Sequence, residues 1–450
     1  MTARTHSAPA KVAAKAGVTH EASHPFGAAT VERWRLDNGL SVLTLVDKAA
    51  PVVSYHTWFG VGSRHERTGK TGLAHLFEHL MFNETEHLKA GAFDRRLEEA
   101  GAETNAGTWV DWTYYYESVP KDALALVIKL EADRMGHLVL RAPQVTSEKE
   151  VVANERRFRV DDDVEGTMNE VLYKTAFTKH PYHWPTIGWM PDIQGFTPED
   201  CAEFYRTYYA PNNATVVLVG DFDPARALAK MREAYGALPP ATIPPEDGWP
   251  EPPQLEERRV EMTKPTPTDK LMVGYRGPAL GDPDHAALSV LAEVLFGGRA
   301  ARVYRALVVE AEIASELRAW ASTFRDPGHF EVAATARVGY GAQEILAALD
   351  AAFAKLKEEP VDERELERAR ARLELGTVQA LETAAGKAEQ IGFYETVLGD
   401  PAGVFRRLEA LRRVRAGDVR RVARRFLEPG ARTIVIAHPS PDELGAEAAQ

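Results

Sequence analysis

From Thr71 the chain reads TGLAHLFEHLMFNET, with two histidines four residues apart and an acid between them. Wound as a helix at about 100° per residue, Leu73, Leu76, Phe77, Leu80 and Met81 share one face, and His75, Glu78, His79 and Phe82 share the opposite one. Imidazoles at i and i+4 stand about 5–6 Å apart at Cβ, so both rings can meet one ion at Zn–N distances of about 2.0–2.1 Å. A lone histidine on such a face would be ordinary surface. An H-x-x-E-H helix with an apolar face behind it is the inverted form of the H-E-x-x-H zinc helix.

A catalytic zinc takes three protein ligands and keeps a position open, so a further acid must arrive from elsewhere in the chain. The richest supply is SEKEVVANERRFRVDDD, Ser147 to Asp163. Ser147 with Glu150 reads as a capping-box helix start, and Glu148 and Glu155, seven residues apart, point to nearly the same side of the helix that follows. Either could reach the metal, or both could belong to a solvated charged face. The single cysteine, Cys201, rules out a thiolate cluster and an intrachain disulfide.

The elements that would position these residues sit in a chain of 450 residues, 44% hydrophobic and 27% charged, the balance of globular proteins with two or three domains. The net charge of −12 opposes attraction to nucleic acid or anionic lipid, so neither is expected as a partner. No stretch has the roughly 18 consecutive apolar residues of a membrane span. Residues 1–27, rich in Ala, Lys, His and Ser, lack the apolar core of a secretory signal; they are expected to be disordered, and the protein to be cytoplasmic.

The proline-rich stretch LPPATIPPEDGWPEPPQ, Leu238 to Gln254, divides the chain into similar halves. The expected organisation is a peptidase-like domain with the metal motif at 28–237, a linker at 238–256 and a homologous domain without the motif at 257–450. The first half opens with strand alternation from Val31 to Leu45, turned at Asn38-Gly39, then a strand from Val52, and closes with ATVVLVG, Ala214 to Gly220. The second repeats the order with Lys270 to Arg276, a helix from about Asp284 to Phe296, and Arg432 to Ala437. Laid on the first half, it puts Ser289, Ala292 and Glu293 where His75, Glu78 and His79 stand. The fold class is α+β: two homologous α/β-sandwich-like domains, each a mostly antiparallel sheet packed against helices, related by internal duplication.

His75, Glu78 and His79, followed after 75 intervening residues by Glu155 within EVVANERR, resemble the pitrilysin and mitochondrial processing peptidase family of zinc metallopeptidases. HPYHWPTIGW (His180 to Trp189), Phe296-Gly297-Gly298 and ELERARARL (Glu365 to Leu373) extend the likeness from about Val31 to the C-terminus. The resemblance implies that His75, His79 and Glu155 hold one Zn2+ per chain, that Glu78 is the general base activating a zinc-bound water, and that Glu148 stands behind the ligands. GAETNAGTWVDWTYYYESVP, Gly101 to Pro120, resembles the family's edge strand, with Asn105 and Ala106 binding the substrate backbone by β-augmentation. Trp109, Trp112 and Tyr114 could equally form a buried aromatic strand.

One part of the pattern is broken. Active relatives bring an Arg and a Tyr, seven residues apart, from the second half; here Val308 and Ser315 occupy those positions, with Arg302 and Tyr304 nearby at the wrong spacing. The resemblance therefore implies an endopeptidase acting on extended peptides inside a two-chain chamber. A homologous partner lacking the zinc motif, or a second copy of the chain, would supply the missing pair. The alternative is a non-catalytic structural or peptide-binding subunit. His65, His87, His180 and His183 lack helical pairing with an acid and read as structural or surface, and Asp161 to Asp163 as a solvated helix face.

Overall fold

The computed structural model describes residues 17–246 and 248–441. These described residues form two sheets. The first has β1 (Val18–Phe26), β2 (Ala29–Leu36), β3 (Ser41–Val46), β4 (Val52–Phe59), β5 (Glu103–Thr108), β6 (Thr113–Pro120) and β7 (Ala214–Gly220), in the order β1-β2-β3-β7-β4-β6-β5. The second has β8 (Arg258–Lys264), β9 (Lys270–Arg276), β10 (Ala314–Ala321), β11 (His329–Ala336) and β12 (Arg432–Pro439), in the order β10-β11-β9-β12-β8. Read from β3 and from β8, the two orders are the same. Each starts with a parallel pair, β3 with β7 and β8 with β12, and continues with antiparallel neighbours. The expected mostly antiparallel sheets and the duplication are therefore present in register.

The Asn38-Gly39 turn forms as expected between β2 and β3, with Gly39 at φ 90° and the buried Asn38 amide donating to the carbonyls of Tyr235 and Leu238. The expectation of disorder over 1–27 fails at residues 18–26, which form β1; residues 1–16 lie outside the described residues. The strand needs no run of apolar residues because it is an edge strand, paired with β2 along its length through backbone hydrogen bonds. Its anchors are the two ends, Val18 and Phe26, both buried.

The helices that position the site are α1 (Leu73–Leu80), α2 (Leu124–His137), α3 (Ala142–Arg156), α4 (Val164–Ala176), α5 (Pro224–Tyr235), α6 (Pro283–Phe296), α7 (Ala342–Glu358), α8 (Glu363–Ala380), α9 (Ala384–Leu398) and α10 (Ala416–Phe426). The main core of the first half gathers α1, α2 and α5 against the sheet, through Leu76, Phe77, Val127 and Met231 packed on Tyr55, Phe59 and Tyr115. In the second half, α6, α7 and α10 cover one face of the other sheet.

The halves also exchange a helix. Met168 and Leu172 of α4, from the first half, pack on Met272, Ala333 and Val435 of the second sheet. Ala388, Ile391 and Tyr394 of α9, from the second half, pack on Leu43, Trp58 and Val217 of the first. Residues between α5 and β8 form no helix or strand among those described, as their prolines require. This stretch is pinned: Glu251 accepts hydrogen bonds from the backbone N–H groups of Thr178, Lys179 and His180 at 2.7–2.8 Å. No helix among the described residues is long and apolar enough to cross a membrane.

Candidate metal centre

Helix α1 has no Ser, Thr, Asp or Asn to cap it. Its N-cap is Gly72, at φ 94°. The cap comes from Glu66, whose buried carboxylate accepts hydrogen bonds from the N–H of Gly72 at 2.8 Å and of Ala74 at 2.7 Å. A carboxylate there satisfies free amides and complements the helix dipole. A Cβ on Gly72 would meet the Ile187 carbonyl oxygen at 2.5 Å, and one on Gly188 the Thr71 oxygen at 2.2 Å. The two glycines therefore let the HPYHWPTIGW segment lie directly on the start of α1. Asp192 completes the junction by accepting from both the backbone N–H and the hydroxyl of Thr71.

The apolar face assigned to α1 is the buried one: Leu73, Leu76, Phe77, Leu80 and Met81 all enter the first core. Tyr115 of β6 donates to the Phe77 carbonyl at 2.9 Å and holds the middle of the helix to the sheet. The opposite face carries His75, Glu78 and His79 towards α3. That helix begins at Ala142, not at Ser147: proline follows Ala142 directly, and proline is favoured in a first turn, so the Ser147/Glu150 signal lies inside the helix. Glu148 and Glu155 do share α3. Glu155 is its penultimate residue, and a π-helical turn, Arg157–Asp161, follows. Such turns recur at functional sites. Next to Glu155, Arg156 grips Glu170 through both nitrogens at 2.7 and 3.1 Å and donates to the Gly188 carbonyl at 2.8 Å.

These elements bring His75, His79 and Glu155 together, with one ligand atom of each within 4.8 Å of the others. Glu155 Oε2 lies 3.5 Å from His75 Nε2 and 3.3 Å from His79 Nε2. Ligands about 2.0–2.1 Å from a tetrahedral centre stand about 3.3–3.5 Å apart, the spacing seen here. Neither contact has hydrogen-bond geometry, and Glu155 Oε2 is buried with no hydrogen-bond partner. The imidazole rings cross at 67° with centroids 5.0 Å apart. The donor set therefore fits a zinc-class ion. Its three side chains are 11, 23 and 18% exposed, enclosed yet reachable.

Burial brings His75 down to about 4. Burial also lowers His79, but the adjoining Glu155 carboxylate outweighs it and leaves the ring above its ordinary value. His79 in turn holds Glu155 below the usual carboxylate range, and burial pushes Glu78 above it. Behind His79, Glu148 Oε2 stands 3.9 Å from Nδ1 while its other oxygen accepts from the Asn83 amide at 3.1 Å. Arg159 approaches Glu155 Oε1 at 3.1 Å.

Asn105 and Ala106 lie on β5, the last strand of the first sheet, paired with Tyr116 and Tyr115 of β6 on one side only and running beside α1. The aromatic residues divide. Tyr115 is fully buried, Trp112 and Tyr114 pack with Trp58 towards α9, and Trp109 is 47% exposed. Val308 sits in a π-helical turn against the second core, and the Ser315 hydroxyl on β10 donates to the Thr335 carbonyl. Arg302 is committed to Glu365, at 2.6 and 2.5 Å, and Tyr304 packs on the second core. Glu66, Asn83, Arg156 and Asp192 were not legible from the motif. Asp161, Asp162 and Asp163 are exposed, as the solvated reading expected, and Asp163 also caps α4 by accepting from the Gly166 N–H at 2.6 Å.

Comparisons agree with this architecture. The family model described as Insulinase (Peptidase family M16) matches residues 41–188, and that of the Peptidase M16 inactive domain matches 195–373. The zinc protease PqqE of Helicobacter pylori is 30% identical over 415 residues, covering 90% of this chain and 92% of that protein. The crystal structure of a protease from Helicobacter pylori superposes with a TM-score of 0.87 at 30% identity, over 91% of this chain and 99% of the other. The periplasmic protease PqqL of Escherichia coli shares the fold at 20% identity with a TM-score of 0.75; the match covers 95% of this chain and 49% of that one. The chain belongs to the pitrilysin-like M16 family of zinc metallopeptidases.

Proposed function

We propose that the protein is an endopeptidase in which His75, His79 and Glu155 hold one catalytic Zn2+ and Glu78 is the general base. The observation that carries this is the convergence of three ligand atoms within 4.8 Å of one another, with Glu155 Oε2 at tetrahedral-edge distance from both imidazoles and without a hydrogen-bond partner. The ion, when bound, polarises the scissile carbonyl and lowers the pKa of water. Glu78, on the same helix face, takes a proton from the attacking water and returns it to the leaving amine. Glu148 orients the His79 ring from behind, as outer carboxylates do for ligating imidazoles. The free edge of β5, beside α1, binds an extended peptide as an added strand, with Asn105 and Ala106 facing its backbone. That mode favours unfolded substrates, whose backbone groups are free along an extended segment.

The substrate half of the site is completed by a partner. Val308 has no side-chain donor, the Ser315 hydroxyl is given to the Thr335 carbonyl, and Arg302 is tied to Glu365. Losing such donors costs a peptidase about 2.7–4 kcal/mol each. A homologous subunit without the zinc motif, or a second copy enclosing a chamber, would restore them. The Escherichia coli protein, of which this chain matches 49%, supports pairing of two such units. The test is hydrolysis of an unstructured fluorogenic peptide by the zinc-loaded chain, alone and with a candidate partner, against Glu78→Gln. The expected result is little cleavage alone and restoration on mixing. Full-rate cleavage by the single chain would overturn the partner requirement, and zinc-independent cleavage would overturn the assignment itself.

A further inference from the structure

A second group of metal-ligating side chains lies away from the first. His137 ends α2, and Asp133 stands one turn earlier on the same helix, so the two share a face. The loop after α1 brings His87 against them. Asp133 Oδ1 lies 2.5 Å from His87 Nδ1 and 3.3 Å from His137 Nδ1, and the two rings cross at 79° with centroids 4.8 Å apart. One ligand atom from each falls within 4.8 Å of the others.

We propose that His87, Asp133 and His137 form a second cation site, taking a zinc-class divalent ion through both Nδ1 atoms and Asp133 Oδ1. The Asp133–His137 spacing already matches a tetrahedral edge of about 3.3–3.5 Å. His137 Nδ1 is buried with no hydrogen-bond partner despite that proximity, which leaves the nitrogen available to ligate. The His87 contact is a hydrogen bond that must open by about 0.8 Å to reach the same edge. That movement is available, since the His87 side chain is 62% exposed while Asp133 is 12%. The second oxygen of Asp133 is fixed by the Thr85 hydroxyl at 2.6 Å, the outer-shell support that ligating carboxylates have. Two imidazoles and a carboxylate suit zinc and its late transition-metal neighbours rather than calcium or magnesium.

The ion would act as a staple. The loop that carries His87 is bonded to the end of α2 through Glu86 N–H to the His137 carbonyl and Val139 N–H to the Glu84 carbonyl, both at 2.9 Å. The same loop supplies Asn83, which holds Glu148 behind His79. Binding at the second site thus braces the segment that orients the first. Arg96 and Lys129 line the same cleft of about 360 Å³ as His87, Asp133 and His137 and oppose a cation, so the second site is the weaker of the two.

The metal-free full-length chain is titrated with Zn2+ against a chromogenic competitor, and Co2+ spectra report coordination. Wild type should take up two equivalents. His137→Ala should retain the tighter one, and His79→Ala the weaker one, with zinc raising its melting temperature by mass action. The His79→Ala/His137→Ala double variant should bind neither. Circular dichroism checks the fold of each variant; if His137→Ala does not fold, His87→Ala, with its exposed ring, replaces it. A folded His79→Ala chain that binds no zinc overturns the proposal, as does an equivalent that survives both substitutions. A wild type with only the His137-dependent equivalent would instead sink the catalytic-site assignment and leave this one standing.

Discussion

Helices α1 and α6 occupy the same place in two copies of one sheet topology, and they treat their polar faces in opposite ways. On α6 every group at the corresponding positions is either apolar or satisfied by the chain. Ala292 is buried, the Ser289 hydroxyl bonds the His285 carbonyl at 2.9 Å, and Glu293 pairs with Arg372 of α8. Arg407 closes the set, donating to His285 Nδ1 at 2.8 Å and Ser289 Oγ at 3.1 Å; burial brings His285 down to about 3, which keeps its ring neutral and able to accept. On α1 the corresponding histidines, His75 and His79, instead face Glu155 of α3 at 3.5 and 3.3 Å, and Glu155 Oε2 has no hydrogen-bond partner. Buried polar atoms are costly when unpartnered, so a face with internal partners is complete and one without them calls for a partner from outside. The second half satisfies this face with guanidinium groups, whereas the first leaves ligand atoms within 4.8 Å of one another.

Several substitutions would break or sharpen this contrast. The largest effect is expected from His79→Ala, which should abolish tight zinc binding and peptidase turnover together; metal analysis of the purified variant checks it, and a full zinc complement would remove His79 from the ligand set. Glu78→Gln should lower kcat by about two orders of magnitude or more with zinc retained, because a general base is not a ligand. Loss of zinc in that variant would show that the roles are misassigned. Glu148→Gln should weaken zinc about 10–100-fold by freeing the His79 ring, read by competition with a chelator. An unchanged affinity would separate Glu148 from the site.

In the inert half, Arg407→Met removes hydrogen bonds from a charged donor and should cost about 1–3 kcal/mol of stability in urea unfolding, with zinc affinity unaltered. A fall in zinc affinity would mean that the halves are coupled. The smallest effect concerns the segment that joins them. Burial would raise the Glu251 carboxyl, but three backbone N–H groups outweigh it and hold the group at about 2, below its ordinary 4.5. A depressed carboxylate contributes stability that is full above about pH 4.5 and is lost as pH falls towards 2. Glu251→Gln should therefore flatten the pH dependence of the melting temperature in that window, and an unaltered profile would show that the linker anchor contributes nothing.

The sequence by itself determined the helix α1, its two faces and the pairing of His75, Glu78 and His79, because helical periodicity is local and needs no distant partner. It also showed the Asn38-Gly39 turn, the closing strands and the order of elements in each half. From spacing alone Glu148 and Glu155 were equal candidates. Only the fold put Glu155 Oε2 between the two imidazoles and set Glu148 behind one of them. The tertiary structure alone decided what caps α1, since Glu66 lies outside the helix and reaches it only after the chain has turned. It likewise decided that β1 is ordered, by pairing with β2, and that α4 and α9 are exchanged between the halves. His87 read alone as a structural or surface histidine. Its meeting with Asp133 and His137 joins residues 46 apart in the chain, a separation that local pattern cannot span and packing can.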